Sequence, residues 1–311
     1  MNQIVIVCGP TCSGKSRYAV EIAKRFDGEI VSCDSMQIYR HMDVGSAKPT
    51  SEEMDGIPHH MIGVIDPKCR YSAASFKRDA EKAIDDIISR GKLPVLAGGT
   101  GLYINSIIYD MDFAAAPDDP GLREELDKLD NDELYSRLSQ VDPEAASRIH
   151  PNNRKKVLRA AEAAISGIRV KDFSESLKKN GKYDPVMLCL TMDRSLLYDR
   201  INRRVDRMFE AGLVDEVRAL TDMGLGYEDI SMKGIGYKEV IEYLEGKTDL
   251  ETAVENVKKN TRHYAKRQFT WLKQYEDMEY FDITGGDRTE EIITWLKSRS
   301  GSTTKATNPT T

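Results

Sequence analysis

The sequence lacks long apolar runs. No stretch approaches the roughly 18 consecutive apolar residues that a membrane-spanning helix needs. The first ten residues, MNQIVIVCGP, also lack the basic segment and long apolar core of a secretory signal peptide. Together these absences argue against a membrane protein and predict a cytoplasmic one.

Cysteine is scarce and scattered. The chain has five cysteines, an odd number, with no CxxC pair among Cys8, Cys12, Cys33, Cys69 and Cys189. This pattern argues against a disulfide framework and against a structural zinc site. The adjacent His59 and His60 have no histidine or cysteine partner at metal-ligand spacing, so we expect them to pack, or to touch phosphate, in a loop.

The chain has little net charge. Its 45 Lys and Arg against 51 Asp and Glu give a net charge of −6, which argues against a protein that coats nucleic acid indiscriminately. A local basic groove remains compatible with this balance, because the basic residues are unevenly placed.

Short apolar runs alternate with helical patterns in the first third of the chain. The strand predictions are residues 3–8, 29–35, 93–99 and 185–193, and the helix predictions begin with 15–25 and 71–91. Ser72 is the expected N-cap of the second helix, in which Phe76, Ala80, Ile84 and Ile87 recur at helical spacing. This alternation predicts an α/β fold with a parallel sheet.

The 311 residues are enough for about two domains. The turn-rich segment AAAPDDPG at 114–121 opens a charged, helical and strand-poor region. We therefore expect a catalytic core formed by 1–113 and 185–290, including C-terminal helices, and a helical insertion domain at 114–184. The apolar-poor tail 297–311 is expected to be disordered.

A glycine-rich loop follows the first strand. It comprises Gly9, Pro10, Thr11, Cys12, Ser13, Gly14, Lys15 and Ser16. The GxxxxGKS pattern between a strand and a helix is typical of a phosphate-binding loop, whose backbone N–H groups converge on anionic oxygens. Lys15 would supply positive charge, and the Ser16 hydroxyl would bind Mg²⁺. The fold expected is a P-loop NTPase-like parallel sheet.

The expected partner of such a loop in nucleotide hydrolysis is missing. The strand at 93–99 runs into AGGTGLY without the carboxylate that holds Mg²⁺ through water. Asp34 instead follows the strand at 29–35, at the edge where parallel sheets place ligands. These features favour a phosphate held as the leaving group of an organic donor, with Asp34 as a base near the phosphates.

Several longer segments carry a specific resemblance. GPTCSGKS, SCDSMQIYRHMDVGSAKP, PHHMIGVIDP, YSAASFKRDA and AGGTGLY occur in this order, followed by ASRIHPNNRKKVLRAAE, IGYKEV and AKRQFTWLK. Over roughly residues 3–275 the chain resembles the bacterial tRNA dimethylallyltransferases. The phosphate loop alone would not distinguish this family, whereas DSMQIYRHMDVGSAKP and AKRQFTWL are specific to it.

The resemblance implies a reaction. A dimethylallyl group would pass from dimethylallyl diphosphate to N6 of the adenosine adjacent to the anticodon, position 37, in tRNAs that read codons beginning with U. Asp34 would be the base, Thr100 would lie at the mouth of the pocket for the target base, and Mg²⁺ would assist departure of diphosphate. At least one of Arg200 and Arg204 would reach the diphosphate, and the sequence does not choose between them.

Basic and aromatic residues interleave in three later segments, NRKKVLRA, KGIGYK and NVKKNTRHYAKRQFTWLK, as contacts to RNA require. The expected tRNA-binding residues are Asp34, Ser35, Met36, Gln37, Thr100, Arg123, Lys155, Lys156, Arg159, Lys233, Gly236, Tyr237, Lys238, Arg262, Lys266 and Arg267. The partner would be the anticodon stem-loop of tRNA, and the resemblance implies a monomer.

Two other functions share parts of this pattern. A small-molecule kinase would use the same loop and core, with Asp34 deprotonating an acceptor hydroxyl, but it leaves the basic and aromatic segment at 256–273 unexplained. A nonenzymatic, nucleotide-gated RNA-binding module would bind tRNA without turnover.

Overall fold

The structure is a computed structural model, and it describes residues 2–111, 120–167 and 178–300. Six strands form one sheet, in which every neighbouring pair is parallel, in the order β3-β2-β4-β1-β5-β6. The strands are β1 (Gln3–Cys8), β2 (Gly28–Ser32), β3 (His59–His60), β4 (Leu93–Ala97), β5 (Asp184–Thr191) and β6 (Met278–Asp282). The predicted parallel α/β sheet is confirmed, and β3 and β6 are strands that the sequence analysis missed.

Helices connect and follow the strands. The sheet is accompanied by α1 (Lys15–Arg25), α2 (Ser51–Met54), α3 (Ala73–Ser89), α4 (Gly101–Ile108), α9 (Arg194–Glu210), α10 (Leu213–Asp222), α11 (Tyr237–Leu244), α12 (Leu250–Leu272) and α13 (Thr289–Ser300). The other helices are α5 (Pro120–Asp127), α6 (Asn131–Val141), α7 (Pro143–Arg148) and α8 (Arg154–Ile165). Ser72 caps α3 as predicted, because its hydroxyl accepts a hydrogen bond from the Ser75 N–H at 3.1 Å. Within the described residues no helix is long and apolar enough to cross a membrane.

The sheet is buried on both faces, as its nearly continuous apolar strands require. In β1, residues 4–8 are all buried. Helix α1 turns Ala19, Ile22 and Ala23 towards the core, as their spacing predicts, and these side chains are almost fully buried. Ile292 and Ile293, from helix α13 near the C-terminal end of the described residues, join the same apolar cluster as these α1 side chains.

The chain divides into two compact units, one formed by Met1–Ile108 with Gly181–Thr311 and one by Tyr109–Asn180. The second unit begins and ends a few residues earlier than the expected 114–184. An antiparallel bridge joins Tyr109 to Lys179, and the Asp110 N–H donates to the Lys178 carbonyl at 2.8 Å. This pairing places both of its ends within the second unit.

The second unit, in the part that the structure describes, consists of α5 to α8 around a small apolar core. Its fully buried members include Leu134, Leu138 and Ala161. Capping is strong: Asp130 accepts from the Asp132 and Glu133 N–H groups at the start of α6. Short, well-capped helices around leucine and alanine side chains explain why this region is charged and strand-poor in sequence.

Two expectations for the chain need correction. The predicted tail 297–311 begins too early, because α13 continues to Ser300 and its buried Leu296 anchors that helix in the core; residues 301–311 lie outside the described residues. His59 and His60 do not lie in a loop, since they form β3 and pair with Ile30 and Val31 of β2.

A buried carboxylate explains the position of His60. Nε2 of His60 lies 2.8 Å from Oε2 of Glu29, whose side chain is also held by the guanidinium of Arg90. Glu29 is 3% exposed. The hydrogen bonds from Arg90, more than those from His60, lower the pKa of Glu29 from about 4.5 to about 2, against the effect of burial.

We expect Glu29→Gln to destabilise the protein by about 2 kcal/mol at pH 7, the usual contribution of hydrogen bonds to a charged group. A carboxylate with a depressed pKa stabilises the fold above its unfolded-state value of about 4.5 and loses that contribution as the pH falls towards about 2. The free energy of unfolding, measured with urea at pH 7, 5 and 3, should therefore converge for the wild type and the variant.

The control is Glu290→Gln, because Glu290 forms an ion pair with Arg25 at the surface and its side chain is 75% exposed. That variant should differ little from the wild type at each pH. A difference between wild type and Glu29→Gln that stays constant from pH 7 to pH 3 would contradict the prediction.

Candidate active site

The phosphate loop lies between β1 and α1. Its backbone takes left-handed conformations at Cys12 (φ 65°) and at Gly14 (φ 84°), the residue before α1. The Ser13 N–H donates to the Pro10 carbonyl at 3.2 Å, and the Lys15 ammonium donates to the same carbonyl at 2.7 Å. The loop therefore curls around the start of α1, where N–H groups and the helix dipole favour an anion.

Arg204 is the arginine that the structure brings to this loop. From α9 its guanidinium Nη1 lies 3.4 Å from Thr11 Oγ1 and 3.9 Å from Cys12 Sγ. Arg200, one turn earlier, is exposed to solvent and is not among the residues that contact the loop. The structure therefore places Arg204, and not Arg200, beside the loop, and contact of either arginine with a diphosphate stays a prediction.

The charges around Lys15 are coupled. Burial lowers the pKa of Lys15, the positive charge of Arg204 lowers it further, and the negative charge of Asp34 opposes both. Two cations and one carboxylate thus act on each other at this end of the sheet. An anion that enters between the cations would relieve their repulsion and raise the pKa of Lys15.

Two serines of the loop differ in exposure. Ser13 is fully buried, and its Oγ has no hydrogen-bond partner. A buried hydroxyl without a partner is costly, so an oxygen-rich ligand would satisfy it. Ser16 is exposed at the first turn of α1, and a hydroxyl beside phosphate oxygens and water is the kind of oxygen donor that Mg²⁺ prefers. The loop therefore fits both an oxygen-rich anion, at Ser13, and Mg²⁺, at Ser16.

Asp34 follows β2 at the same edge of the sheet. Its Oδ1 accepts hydrogen bonds from the Met36 N–H at 2.8 Å and the Gln37 N–H at 3.3 Å. This is the turn role that short polar side chains commonly play. Because both of these bonds involve Oδ1, the turn leaves Oδ2 available to accept a proton.

Thr100 lies beside Asp34. Thr100 Oγ1 accepts from the Ser35 N–H at 3.1 Å and lies 3.4 Å from the Ser35 hydroxyl. The Thr100 N–H also donates to the carbonyl of Cys33 at 3.2 Å. The segment after β4 is therefore fastened to the segment after β2, and the two predicted catalytic residues are brought together.

Gln268 of α12 is a site residue that the sequence analysis did not single out. It is 6% exposed. Its Oε1 accepts from the Thr11 N–H at 2.8 Å, and its Nε2 donates to the Gly99 carbonyl at 3.0 Å. One amide thus connects the phosphate loop to the segment that carries Thr100. The only signal in the sequence was a glutamine within AKRQFTWL.

Glycine is needed where α12 packs on this segment. A Cβ at Gly99 would lie 2.0 Å from Nε2 of Gln268, and one at Gly101 would lie 1.9 Å from the indole nitrogen of Trp271. At such distances the side chains of Gln268 and Trp271 would have to leave their positions. The GGTG sequence thus permits close approach of α12, with the half-buried Trp271 packed beside Gly101.

Tyr264, one turn before Gln268, was also overlooked as a site residue. Burial raises its pKa to about 12, and the charge of Asp34 adds to that shift, whereas hydrogen bonding to Thr100 and Gln268 opposes it. The Tyr264 hydroxyl is therefore neutral at physiological pH and lies among the groups of the site. A neutral hydroxyl there can donate a hydrogen bond to substrate.

Most of the predicted tRNA contacts in the first unit are accessible. Lys266 and Arg267 are exposed on α12, and Arg267 also lies over the Tyr264 ring at 5.7 Å. Arg262 is half-buried and donates to Asn202 Oδ1 at 2.6 Å. Lys233 and Lys238 are exposed, with carboxylates 3.9 and 3.8 Å away.

The prediction for Tyr237 is wrong. This side chain is fully buried, and its hydroxyl donates to Oε1 of Glu216 at 2.9 Å. Gly236 is also buried, and its N–H donates to Glu239 at 2.8 Å. The aromatic ring in KGIGYK is a core residue because α11 places it inward, so it is unavailable for stacking on a base.

The segment after Asp34 is half-buried. Met36 and Gln37 both belong to it, and the Gln37 side chain is used within the protein, accepting from Ser32 Oγ at 3.0 Å and donating to the Ala47 carbonyl at 3.1 Å. Ser35 is likewise half-buried and contacts Thr100. Any contact of this segment with RNA therefore starts from an ordered loop.

In the second unit, Lys155, Lys156 and Arg159 are exposed on α8. Lys155 and Arg159 are four residues apart and share one face of that helix. Arg123 differs from them, because its guanidinium forms an ion pair at 2.6 Å with Glu162, whose side chain is buried. A guanidinium held in this way presents its remaining N–H groups in a fixed direction.

No cluster of three or more histidine, cysteine, aspartate or glutamate side chains that could hold a metal ion occurs in the part of the chain that the structure describes. Burial raises the pKa of the Cys8, Cys33 and Cys189 thiols, which keeps them uncharged.

The site as a whole combines an anion cradle with two cations, a carboxylate, and hydroxyl donors.

Comparison with known proteins assigns the family. The family model described as IPP transferase matches residues 37–275, and the one described as isopentenyl transferase matches residues 2–66. A curated relative, the tRNA dimethylallyltransferase of Alkaliphilus metalliredigens, is 47% identical over 305 residues, which is 96% of this chain and 98% of the relative.

Solved structures agree with this assignment and with the P-loop type of fold. The full-length tRNA isopentenylpyrophosphate transferase from Bacillus halodurans is 42% identical, with a TM-score of 0.74 over 96% of this chain and 97% of its own. A eukaryotic dimethylallyltransferase acting on tRNA is 29% identical, with a TM-score of 0.80 over 96% of this chain and 77% of its own. The chain therefore belongs to the IPP transferase family, among the tRNA dimethylallyltransferases.

Proposed function

We propose that this protein transfers a dimethylallyl group from dimethylallyl diphosphate to N6 of the adenosine at position 37 of tRNA, next to the anticodon, in tRNAs that read codons beginning with U. The products are N6-isopentenyladenosine and diphosphate. The observation that carries the proposal is the convergence of Lys15, Arg204 and Asp34 at one end of the sheet, where their charges act on each other. A leaving anion and an acidifying amine need these opposite charges side by side.

Departure of diphosphate is the step that the phosphate loop promotes. The bond between the allylic carbon and the diphosphate oxygen breaks as the N6–C bond forms, and negative charge grows on the leaving group. The loop N–H groups, the Lys15 ammonium and the Arg204 guanidinium face that charge. Ser13 Oγ, which is buried without a partner, would donate to the same anion.

The loop would hold Mg²⁺ through the Ser16 hydroxyl and the diphosphate oxygens, and the ion would add positive charge to the leaving group. Lys15 must exchange its bond to the Pro10 carbonyl for one to the diphosphate. Lys15 already lies at the loop, where its ammonium is 2.7 Å from the Pro10 carbonyl oxygen.

Proton removal is the role of Asp34. The amine of adenine is a weak nucleophile because its lone pair is delocalised, so loss of a proton as the new bond forms lowers the barrier. Asp34 holds its turn through Oδ1, and Oδ2 takes the proton. The hydroxyls of Thr100 and Tyr264 orient the extruded base, and Gln268 keeps Thr100 at a fixed distance from the phosphate loop.

The tRNA would be held by exposed cations in both units. Lys266, Arg267, Lys155 and Arg159 would neutralise phosphates of the anticodon stem-loop, and Arg123, fixed by Glu162, would make a directed contact. Ser35, Met36, Gln37 and Thr100 would border the pocket of the target base. We further propose that the protein acts as a monomer in the cytoplasm.

A kinase is not favoured. The curated relatives are tRNA dimethylallyltransferases over nearly the full chain. Strand β4 ends at Ala97 and is followed by Gly98 and Gly99, with no carboxylate there to hold a nucleotide's metal ion. A nonenzymatic RNA-binding module would not need an acceptor such as Asp34 Oδ2 beside an anion cradle. Both alternatives predict no transfer of a five-carbon group.

The reaction and the base can be tested together. Wild-type protein incubated with Mg²⁺, dimethylallyl diphosphate and unmodified tRNA should add one isopentenyl unit to adenosine, detected by mass spectrometry of the nucleosides. Asp34→Asn should lower kcat about 100-fold or more, because the amide keeps the Oδ1 acceptor for the turn but cannot take a proton. Its Kd for tRNA should change by less than about threefold, since the turn persists.

Transfer of phosphate from ATP to a small molecule, with no modified adenosine, would contradict the proposed function. Full activity of Asp34→Asn at saturating substrates would leave the transfer reaction standing and remove Asp34 as its base.

Arginine variants of α9 test the proposed contact between Arg204 and the diphosphate, with Arg203 and Arg200 as controls. Arg204→Ala should lower kcat about 100-fold and raise KM for dimethylallyl diphosphate, because one cation facing the leaving group is lost. Arg203→Ala, the adjacent exposed arginine, should stay within about threefold of the wild type, and Arg200→Ala should resemble it. Steady-state kinetics with inorganic diphosphate as a product inhibitor would measure the same contact, and equal losses in Arg200→Ala and Arg204→Ala would contradict the assignment.

Gln268→Leu tests the bridge between the two loops. The substitution leaves the Thr11 N–H without its acceptor and the Gly99 carbonyl without its donor, so we expect kcat to fall about tenfold or more. Thr270→Ala, on the exposed face of α12, is the control and should keep full activity. Gln268→Glu should raise KM for dimethylallyl diphosphate more than Gln268→Leu does, because it adds a negative charge beside the phosphate loop; the opposite order would count against the bridge.

A further inference from the structure

The loop at residues 43–48 is hydrogen-bonded both to the segment at 34–37 and to the first turn of α10. We propose that Glu216 of α10 and Tyr237 of α11 form a clamp that fixes this loop and thereby positions Met36 and Gln37 for tRNA. The inference deepens the proposed function and rests on it for the identity of the ligand. Glu216 and Tyr237 are positioning residues in this role and touch no substrate.

The Glu216 carboxylate gathers three consecutive backbone N–H groups. Its Oε2 accepts from Asp43 and Val44, each at 2.7 Å, and its Oε1 accepts from Gly45 at 2.9 Å. Hydrogen bonds to a charged acceptor are roughly twice as strong as neutral ones. A loop with three such bonds to one helix has little freedom to move away from it.

Tyr237 completes the clamp from the buried side. Its hydroxyl donates to Oε1 of Glu216 at 2.9 Å, and burial raises its pKa, so the hydroxyl remains a donor. The ring also fills the space beside Gly45, where an added Cβ would lie 2.5 Å from Cζ of Tyr237. Within KGIGYK, Tyr237 thus supports the loop, whereas the exposed Lys233 and Lys238 remain available to RNA.

The clamped loop is connected to the residues expected to meet the base. The Ala47 carbonyl accepts from Nε2 of Gln37 at 3.1 Å. Lys48 donates to the Tyr39 carbonyl at 2.7 Å and also pairs with the Asp43 carboxylate. These bonds transmit the position of the loop to the segment that follows Asp34.

The support on α11 also reaches Met36 directly. A Cβ at Gly234 would lie 2.5 Å from Cε of Met36, so the glycine admits the methionine side chain against the turn before α11. The hydrogen bonds of the Glu216 carboxylate and the Tyr237 hydroxyl go to residues 43–45 and to each other, away from the phosphate loop. The clamp should therefore affect tRNA far more than dimethylallyl diphosphate.

Hydrogen exchange tests the clamp without reference to activity. In Glu216→Ala the amides of Asp43, Val44 and Gly45 should exchange at least about tenfold faster than in the wild type, while those of residues 9–16 stay unchanged. Glu216→Gln should be intermediate, because its amide oxygen can still accept from two of the N–H groups. Asp215→Asn is the control, since Asp215 lies in the same turn, is exposed, and forms an ion pair with Arg218.

Kinetics tests the consequence for substrate. Glu216→Ala should raise KM for tRNA about tenfold and leave KM for dimethylallyl diphosphate within about twofold. Tyr237→Phe should change KM for tRNA in the same direction but less, because the ring still supports Gly45 while one hydrogen bond is lost. Asp215→Asn should match the wild type in both constants.

Three outcomes would overturn the inference: unchanged exchange at 43–45 in Glu216→Ala, equal increases in both KM values, or an unchanged KM for tRNA despite faster exchange. If wild-type protein transfers no prenyl group to tRNA, the proposed function fails, and the clamp is then judged by exchange alone. A lower Tm of Glu216→Ala, with both KM values of the folded protein unchanged, would show that Glu216 only stabilises the fold and would refute its positioning role.

Discussion

The parallel register of β1, β4 and β2 is the constraint on which the site depends. Val7 pairs with Ala97, and Ala97 pairs with Ser32, so three strands end at one level. The phosphate loop, the GGTG segment and Asp34 follow these positions within one or two residues. Hydrogen bonding of the sheet therefore brings together groups that are far apart in the chain, before any side chain of the site makes a contact.

Helix α12 then sets the spacing between those groups. Its buried side holds Gln268 between the phosphate loop and the Gly99 carbonyl, whereas its exposed side carries Lys266 and Arg267. A single helix thus joins the phosphate loop, the segment that carries Thr100 and the cations proposed to contact RNA. The same arrangement explains why glycine occupies positions 99 and 101, where a Cβ would displace the side chains of Gln268 and Trp271.

Electrostatics and scaffolding are separated in this protein. Lys15, Arg204 and Asp34 influence one another across the anion cradle. The Glu216 carboxylate, by contrast, accepts hydrogen bonds from backbone N–H groups of the loop at 43–45 and from the Tyr237 hydroxyl. The charge of a bound ligand would therefore act on the first group of residues, whereas Glu216 and Tyr237 determine how well the loop at 43–45 is ordered.

The sequence by itself determined the strand, loop and helix around Lys15, the parallel α/β class, Asp34 as the polar residue after β2, and the family, because these follow from local patterns and specific motifs. It did not decide between Arg200 and Arg204, it assigned Tyr237 to RNA, and it passed over Gln268. Those roles depend on which face of a helix meets a segment distant in the chain. Periodicity gives the faces of a helix, but only tertiary packing supplies the partner that each face contacts.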